Sequence, residues 1–375
     1  MHQRRNGMRL MIAVRISRIP TNITKLRQKT NFPTFGLVNK DNNMIRFGIV
    51  GTGRISDWVL KGAAQDPRVQ VTAVCSRTVE AAEAFVNRNP MAAGAKIYTS
   101  VEEMTADPQV DAVYIGTPNQ THCEYTLASL KAGKHVLCEK PLAINADEGR
   151  RMVDAARESG CLLMEAMVST LNPNFRAASQ LIDQIAPVRQ YSSCFCQYSS
   201  KYEALKRGEV ATAFKPGSAG ALRDVGVYTI YPLVALFGRP VTVNGELRTI
   251  ETPEGYADVC GTACLGYEDM DATLTWAKSF DSFQPTEIAG EKGNIILDEI
   301  HIARKAEIVP HAAPTSGQGP KPGRALISEG LPCNEYYYEF REFADLVEQG
   351  KTESEINSLE TSLIVLEIMD ELLCE

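Results

Sequence analysis

The chain has 375 residues, 44% hydrophobic and 23% charged, which is ordinary globular composition and enough for two domains with separate cores. No apolar run approaches the roughly 20 residues a membrane-spanning helix needs, and a net charge of −7 argues against nucleic acid, whose phosphates require a basic face. The ten cysteines follow no regular spacing and several fall in strand-like segments, which suits reduced thiols and a cytoplasmic address. Residues 1–43 stand apart, with nine Lys and Arg against one acid, Asp41, a charge of +8 that leaves −15 for the rest. That leader reads either as an organelle transit peptide or as an over-extended reading frame with the true start at Met44. The second reading is preferred, and 1–43 are set aside from the fold.

From residue 44 strand and helix patterns alternate. IRFGIV (45–50) is an apolar strand, and Ile55, Val59 and Ala63 then recur at helical spacing until Asp66-Pro67. VQVTAVC (69–75), KIYTS (96–100), VDAVYIG (110–116), HVLC (135–138) and CLLMEAM (161–167) are further strands. Three intervening helices carry capping-box spacing: Ser100 with Glu103, Thr121 with Glu124, and Asn145 with Glu148. Continuous apolar strands separated by helices predict a doubly wound parallel sheet covered on both faces, with ligands bound beyond the carboxyl ends of the strands.

The first strand ends in GTGRIS (51–56), between a strand and a helix, as a dinucleotide site requires. Gly51 would make the tight turn, Gly53 would admit a pyrophosphate, and Arg54 and Ile55 open the helix whose free amides would face it. Ser56 occupies the third glycine's place, so the fingerprint by itself is weak. At the end of the second strand, where an acidic residue would select NAD, the chain reads CSRT. Ser76 and Arg77 offer donors that suit a 2′-phosphate, favouring NADP with NAD possible. Arg77 could instead be a solvated loop arginine on the adenine.

CEKP (138–141) closes the fifth strand on the same rim as GTGRIS and as Thr117, Pro118 and the rest of TPNQTH after the fourth. A lysine so placed sits beside the nicotinamide, where its ammonium can polarise or protonate an alcohol or carbonyl oxygen. To shuttle a proton near neutrality, Lys140 should drop from about 10.4 towards about 7 to 8. Burial and a second cation would help; Glu139 would oppose unless a ribose hydroxyl occupies its carboxylate. The bland alternative is a solvated surface ion pair.

GTGRIS, TPNQTH, EKP and AGALRDVGVY, in that order, resemble the Gfo/Idh/MocA oxidoreductases, and the pattern lies nearest the dihydrodiol dehydrogenase and NADP-xylose dehydrogenase branch. The resemblance covers residues 44–375 and is most specific around EKP. It implies a Rossmann domain (44–165) followed by an α+β domain with an open, mostly antiparallel sheet (166–375) for substrate binding and oligomerisation. It also implies hydride transfer between a nicotinamide and a sugar, polyol or cyclic diol. Glu139 and Lys140 would lie at the cofactor, with Asn119 and His122 lining the nicotinamide pocket. Asp224 and Tyr228, four apart on one helix face, would point into the site. The resemblance makes Tyr228 the acid/base, with Lys140 lowering its pKa and Asp224 holding a substrate hydroxyl; which of Lys140 and Tyr228 moves the proton stays open. Without the resemblance, Asp224 could cap a turn and Tyr228 pack in the core.

VRQYSSCFCQYSS (188–200), GELRTIE, ADVCGTACLGYEDM, DATLTWAKSF and TEIAGEKGNIILDE read as strands of the second sheet. An open sheet with an apolar exposed face would need covering, so a homodimer or homotetramer is expected. Cys194 and Cys196 share one side of a strand without partner ligands, so they read as buried thiols; no metal is expected. Where relatives of the dihydrodiol type have an arginine, Thr170 stands, and Asn172 and Arg176 become substrate candidates instead. The alternative to the enzyme is a non-catalytic NADP(H)-binding sensor, which would keep GTGRIS and Arg77 but have no need of Lys140, Asp224 and Tyr228.

Overall fold

Six short apolar strands form one parallel sheet: β1 (Ile45–Val50), β2 (Val69–Cys75), β3 (Lys96–Tyr98), β4 (Ala112–Ile115), β5 (His135–Glu139) and β6 (Leu163–Ala166). The computed structural model describes residues 44–311 and 323–373; the basic leader, and both readings of it, lie outside the described residues. The strand order is β3-β2-β1-β4-β5-β6, so it reverses between β1 and β4. Loops diverge at such a reversal and leave a crevice at the carboxyl ends of the strands. Helices α1 (Arg54–Ala63), α2 (Val79–Arg88), α3 (Val101–Ala106), α4 (His122–Lys131) and α5 (Ala146–Ser159) make the crossovers.

Two of the three expected caps form. Ser100 Oγ accepts from Glu103 N at 3.3 Å and Asn145 Oδ1 from Glu148 N at 2.8 Å. Thr121 does not cap: its hydroxyl turns back to Pro118 O at 2.8 Å and Thr117 Oγ1 at 2.7 Å, because a 3₁₀ turn over Asn119–Thr121 brings those acceptors nearer than the helix amides.

The second sheet has eight strands in the order β14-β13-β12-β11-β7-β10-β9-β8. They are β7 (Val188–Cys196), β8 (Thr242–Thr252), β9 (Gly255–Gly266), β10 (Asp271–Ala277), β11 (Thr286–Gly290), β12 (Gly293–Leu297), β13 (Lys305–Pro310) and β14 (Ala325–Glu329). All pairings are antiparallel except β7 with β10, which fits the mostly antiparallel expectation. β13 and β14 were not foreseen; β14 lies at the sheet edge and has no buried residue, so no clean alternation marks it. Helix α6 (Val227–Phe237) and the last helix α8 (Leu359–Leu373) are buried with one face, alongside Trp276, Leu274 and Tyr231. The other face exposes Asn244, Glu246, Thr262, Cys264 and Thr273. This corrects the expected apolar face: the outward positions carry small polar side chains, which water can cover.

After the second sheet the chain returns to the first. Phe340 and Phe343, on α7 (Tyr337–Glu348), each place their ring 5.3 Å from that of Phe47 on β1, and all three are fully buried. Such aromatic pairs add about 0.5–1.5 kcal/mol each beyond the area they bury. Among the described residues no helix is long and apolar enough to cross a membrane.

Candidate active site

The β1–α1 turn is shaped for close approach. Gly51 has φ +100°, and a Cβ there would lie 2.5 Å from Gly116 O, so only glycine fits. A Cβ on Gly53 would meet nothing within 4 Å, which leaves open space directly before the amides of α1. Ser56, in the third glycine's place, is fully buried and donates to Gly51 O at 2.8 Å, locking the turn with a hydrogen bond. Thr52 Oγ1 meets Ser76 Oγ at 3.1 Å, tying this turn to the end of β2, where Arg77 is exposed. Arg54 is exposed and Ile55 half-buried at the start of α1. Open space, amides at a helix N-terminus and a guanidinium at the next strand end together fit a dinucleotide.

At the end of β5, Glu139 and Lys140 diverge. Glu139 is buried and accepts from Tyr114 OH at 2.7 Å, so a tyrosine already takes one of its lone pairs. Burial raises its pKa, against the pull of Tyr114 and Lys140. Behind it lies Glu339 on α7, fully buried with Oε2 unpartnered; burial and Glu139 drive its pKa well above the ordinary carboxylate value.

Lys140 reaches across to the second half of the chain. Its ammonium donates to Asp224 O at 2.8 Å and to Asp224 Oδ1 at 3.2 Å, and it lies 4.7 Å from the centre of the Tyr228 ring. Asp224 stands in a π-helical turn (Leu222–Gly226) that runs into α6, and the wider turn leaves its carbonyl free to take the lysine. The other carboxylate oxygen accepts from Lys278, an almost fully buried ammonium that also donates to Ala213 O at 3.0 Å and faces the Phe214 ring at 4.5 Å. Asp224 is therefore clamped between two cations, which outweigh its burial and pull it down to about 2.

The expected fall in the pKa of Lys140 is overturned. Burial pushes it down, but Tyr228, Asp224 and Glu139 outweigh burial and raise it above the ordinary lysine value. The second cation, Lys278, sits on the far side of the carboxylate. Tyr228 is pushed up to about 12 by burial; Lys140 opposes the rise without reversing it.

Other sequence candidates divide. Asn119 lies on the rim and donates to Ser218 O at 3.0 Å, joining the two halves of the cleft. Thr117 is half-buried and Pro118 exposed on the same rim. His122 does not line a pocket: it is fully buried, with Nδ1 2.9 Å from Pro141 O and Nε2 3.0 Å from Thr117 O, and it braces the two rim loops together. Asn172 is also buried and its Oδ1 caps the helix Pro173–Ser179 through Asn174 N at 2.9 Å, so its carbonyl is committed to backbone rather than to substrate. Thr170 is buried against Asn357, and Arg176 is exposed.

Two residues in the cluster escaped the sequence reading. Lys278 ends the apolar strand DATLTWA, the same signal that singled out Lys140. His301, between β12 and β13, stacks on Phe195 at 4.1 Å and meets Tyr228 edge-on at 6.2 Å. Burial and Arg304 lower it to about 4, so it is neutral at pH 7; a lone histidine in a loop gave no sequence signal.

Residues 45–167 match the Gfo/Idh/MocA oxidoreductase family with an NAD-binding Rossmann fold, and residues 175–296 match that family's C-terminal domain. The scyllo-inositol 2-dehydrogenase (NADP(+)) IolU of Bacillus subtilis is 40% identical over 88% of this chain and 96% of its own length. The chain belongs to the Gfo/Idh/MocA family. It is accordingly a nicotinamide-dependent oxidoreductase acting on CH–OH groups. The trans-1,2-dihydrobenzene-1,2-diol dehydrogenase of Xenopus laevis is 29% identical over 88% of this chain and 97% of its own. The fold agrees with that of KijD10, a 3-ketoreductase from Actinomadura kijaniata solved with NADP, with TM-score 0.72, 24% identity and 88% and 97% coverage.

Proposed function

We propose that this member interconverts an alcohol and a carbonyl on a polyol, sugar or cyclic diol with NADP(H), and that Lys140 and Tyr228 handle the proton. Support for the substrate class comes from the inositol and diol dehydrogenases to which the chain is similar. NADP is favoured by exposed Arg77 beside Ser76 at the end of β2, and by the NADP(+) dependence in the name of the Bacillus relative. Gly51, Gly53, Arg54 and Ile55 would hold the pyrophosphate, and the bound nicotinamide would supply or accept the hydride.

The observation that carries the reading is the donor count at Lys140. An ammonium has three N–H donors; two point at Asp224, which leaves one for a substrate oxygen beside Tyr228. Asp224, exposed by 39% of its side chain, retains lone pairs for a neighbouring hydroxyl. Both Lys140 and Tyr228 hold their protons at neutral pH, so the resting site is set up as an acid towards a carbonyl. A non-catalytic sensor would have no use for this third donor.

The test is the full chain and Lys140→Ala with NADP+, NADPH and their NAD counterparts, against inositols, aldoses and cyclic diols and their ketones. Turnover in the wild type, lost about 10²-fold or more in the variant with NADPH still bound, supports the proposal. Tight NADPH binding without turnover on any of them returns the sensor. Self-association into a homodimer or homotetramer no longer follows from an apolar sheet face and stands apart from the catalytic reading; sedimentation velocity tests it, and a monomer refutes self-association alone.

A further inference from the structure

Two thiols stand together on β7. Cys194 is half-buried, Cys196 buried, and their Sγ atoms are 3.6 Å apart on one side of the strand. Side chains alternate along a strand, so Phe195 between them points the other way, into the candidate active site. There its ring stacks on His301 at 4.1 Å and 15°, and meets Tyr228 edge-on at 5.5 Å.

We propose that Cys194 and Cys196 are a peroxide-sensitive dithiol, and that closing them into an intrastrand disulfide pulls Phe195 out of its stack on His301 and Tyr228. Residues i and i+2 of a strand have Cα atoms about 6.6–6.8 Å apart, the upper end of the roughly 4.4–6.8 Å that a disulfide accepts. The bridge closes only by puckering the strand at residue 195, and a strained disulfide of that kind is readily reduced again. The chemistry balances without another group. The Cys194 thiolate attacks a peroxide oxygen, the O–O bond breaks, and the leaving oxygen departs as water with a proton, giving a sulfenic acid. Cys196 sulfur then attacks the sulfenyl sulfur, its own proton leaves with the hydroxyl, and a second water departs. Two thiols lose two hydrogens and one peroxide becomes two waters.

Within the pair Cys194 is the nucleophile, since Cys196 is raised by its contact with Cys194 and by burial. The contact with Cys196 and the Ser282 hydroxyl lower the Cys194 pKa, whereas burial raises those of Cys75, Cys123, Cys138 and Cys161 and keeps them inert.

The experiment treats the full chain with hydrogen peroxide, alkylates remaining thiols, and reads the β7 peptide by mass, with Cys194→Ser and Cys196→Ser in parallel. In the same samples the carbon-labelled His301 ring, assigned with His301→Gln, is followed by NMR. Expected are a 2 Da loss confined to the β7 peptide, as the removal of two hydrogens requires, and a shifted His301 signal. Dithiothreitol should reverse both, and neither should occur in the serine variants. Both thiols alkylated after peroxide, Cys194 carrying added oxygen without a bridge, or a bridge to Cys260 instead overturns the dithiol. A bridge with an unmoved His301 signal overturns the coupling. Only the further effect on turnover rests on the role given to Tyr228: a shifted His301 with undiminished turnover counts against that role and leaves the bridge standing.

Discussion

One carboxylate, Asp224, organises the candidate site, because Lys140 and Lys278 grip its two oxygens and Lys140 is the more exposed of the two ammoniums. Lys278 donates to Asp224 and Ala213 O and is the more deeply buried of the two, so its role is to position rather than to touch substrate. In Lys278→Met, Asp224 loses one of the two cations that hold it at about 2. The acid limb of kcat/KM should move up by about 1–2 pH units and kcat should fall, with partial rescue in Lys278→Arg. An unmoved acid limb would show that Lys140 alone sets Asp224. Glu165 offers a stability test. It is buried and accepts from Leu142 N at 3.0 Å, and burial raises it to about 7. A raised carboxyl binds a proton in the native state that the unfolded chain has already released, so stability is fully present below about pH 4.5 and is lost as pH rises through 7. Glu165→Gln keeps the acceptor and stays neutral, so at pH 8 it should be more stable than wild type by up to about 3 kcal/mol, and at pH 4.5 nearly equal, in urea titrations.

Elements rather than single residues set the geometry around Asp224. The π-helical turn begins after Gly220, whose φ is +128° and where a Cβ would fall 1.6 Å from Asp258 Oδ1. Asp258 in turn accepts from Leu222 N at 2.6 Å, pinning the first amide of the turn to β9. Arg223, buried in the same turn, donates to Ile144 O at 2.9 Å, just beyond the EKP exit, so this element is fixed to both lobes of the cleft. Gly220→Ala should therefore cost about 2–4 kcal/mol of stability and, in whatever folds, reduce kcat more than NADPH affinity. Calorimetry and a binding titration read the two effects separately. The dinucleotide turn was legible from GTGRIS because its demands are local: a glycine at φ +100° and open space over Gly53. Thr121 was misread as a cap for the opposite reason, since a nearby carbonyl competes for its hydroxyl.

At the scale of the molecule, the chain that leaves the first sheet comes back to cover it. Phe343→Ala on α7 removes a ring from a cluster that includes β1, although some 290 residues separate them. The expected cost is about 3–5 kcal/mol, read as a lowered midpoint in which the dinucleotide-binding half melts with the rest rather than before it. By itself the sequence determined the parallel sheet, the second sheet's central strands and the rim of GTGRIS, TPNQTH and EKP, because periodicity and turn chemistry act over a few residues. It also marked Asp224 and Tyr228, through family resemblance. Only tertiary structure decided that His122 braces the two rim loops, that Lys140 is raised rather than lowered, and that Lys278 and His301 join the cluster. The outcomes at Lys140, Lys278 and His301 depend on which charges and rings meet across some 50 to 160 residues of chain, and burial there magnifies each pairing beyond what its residue type foretells.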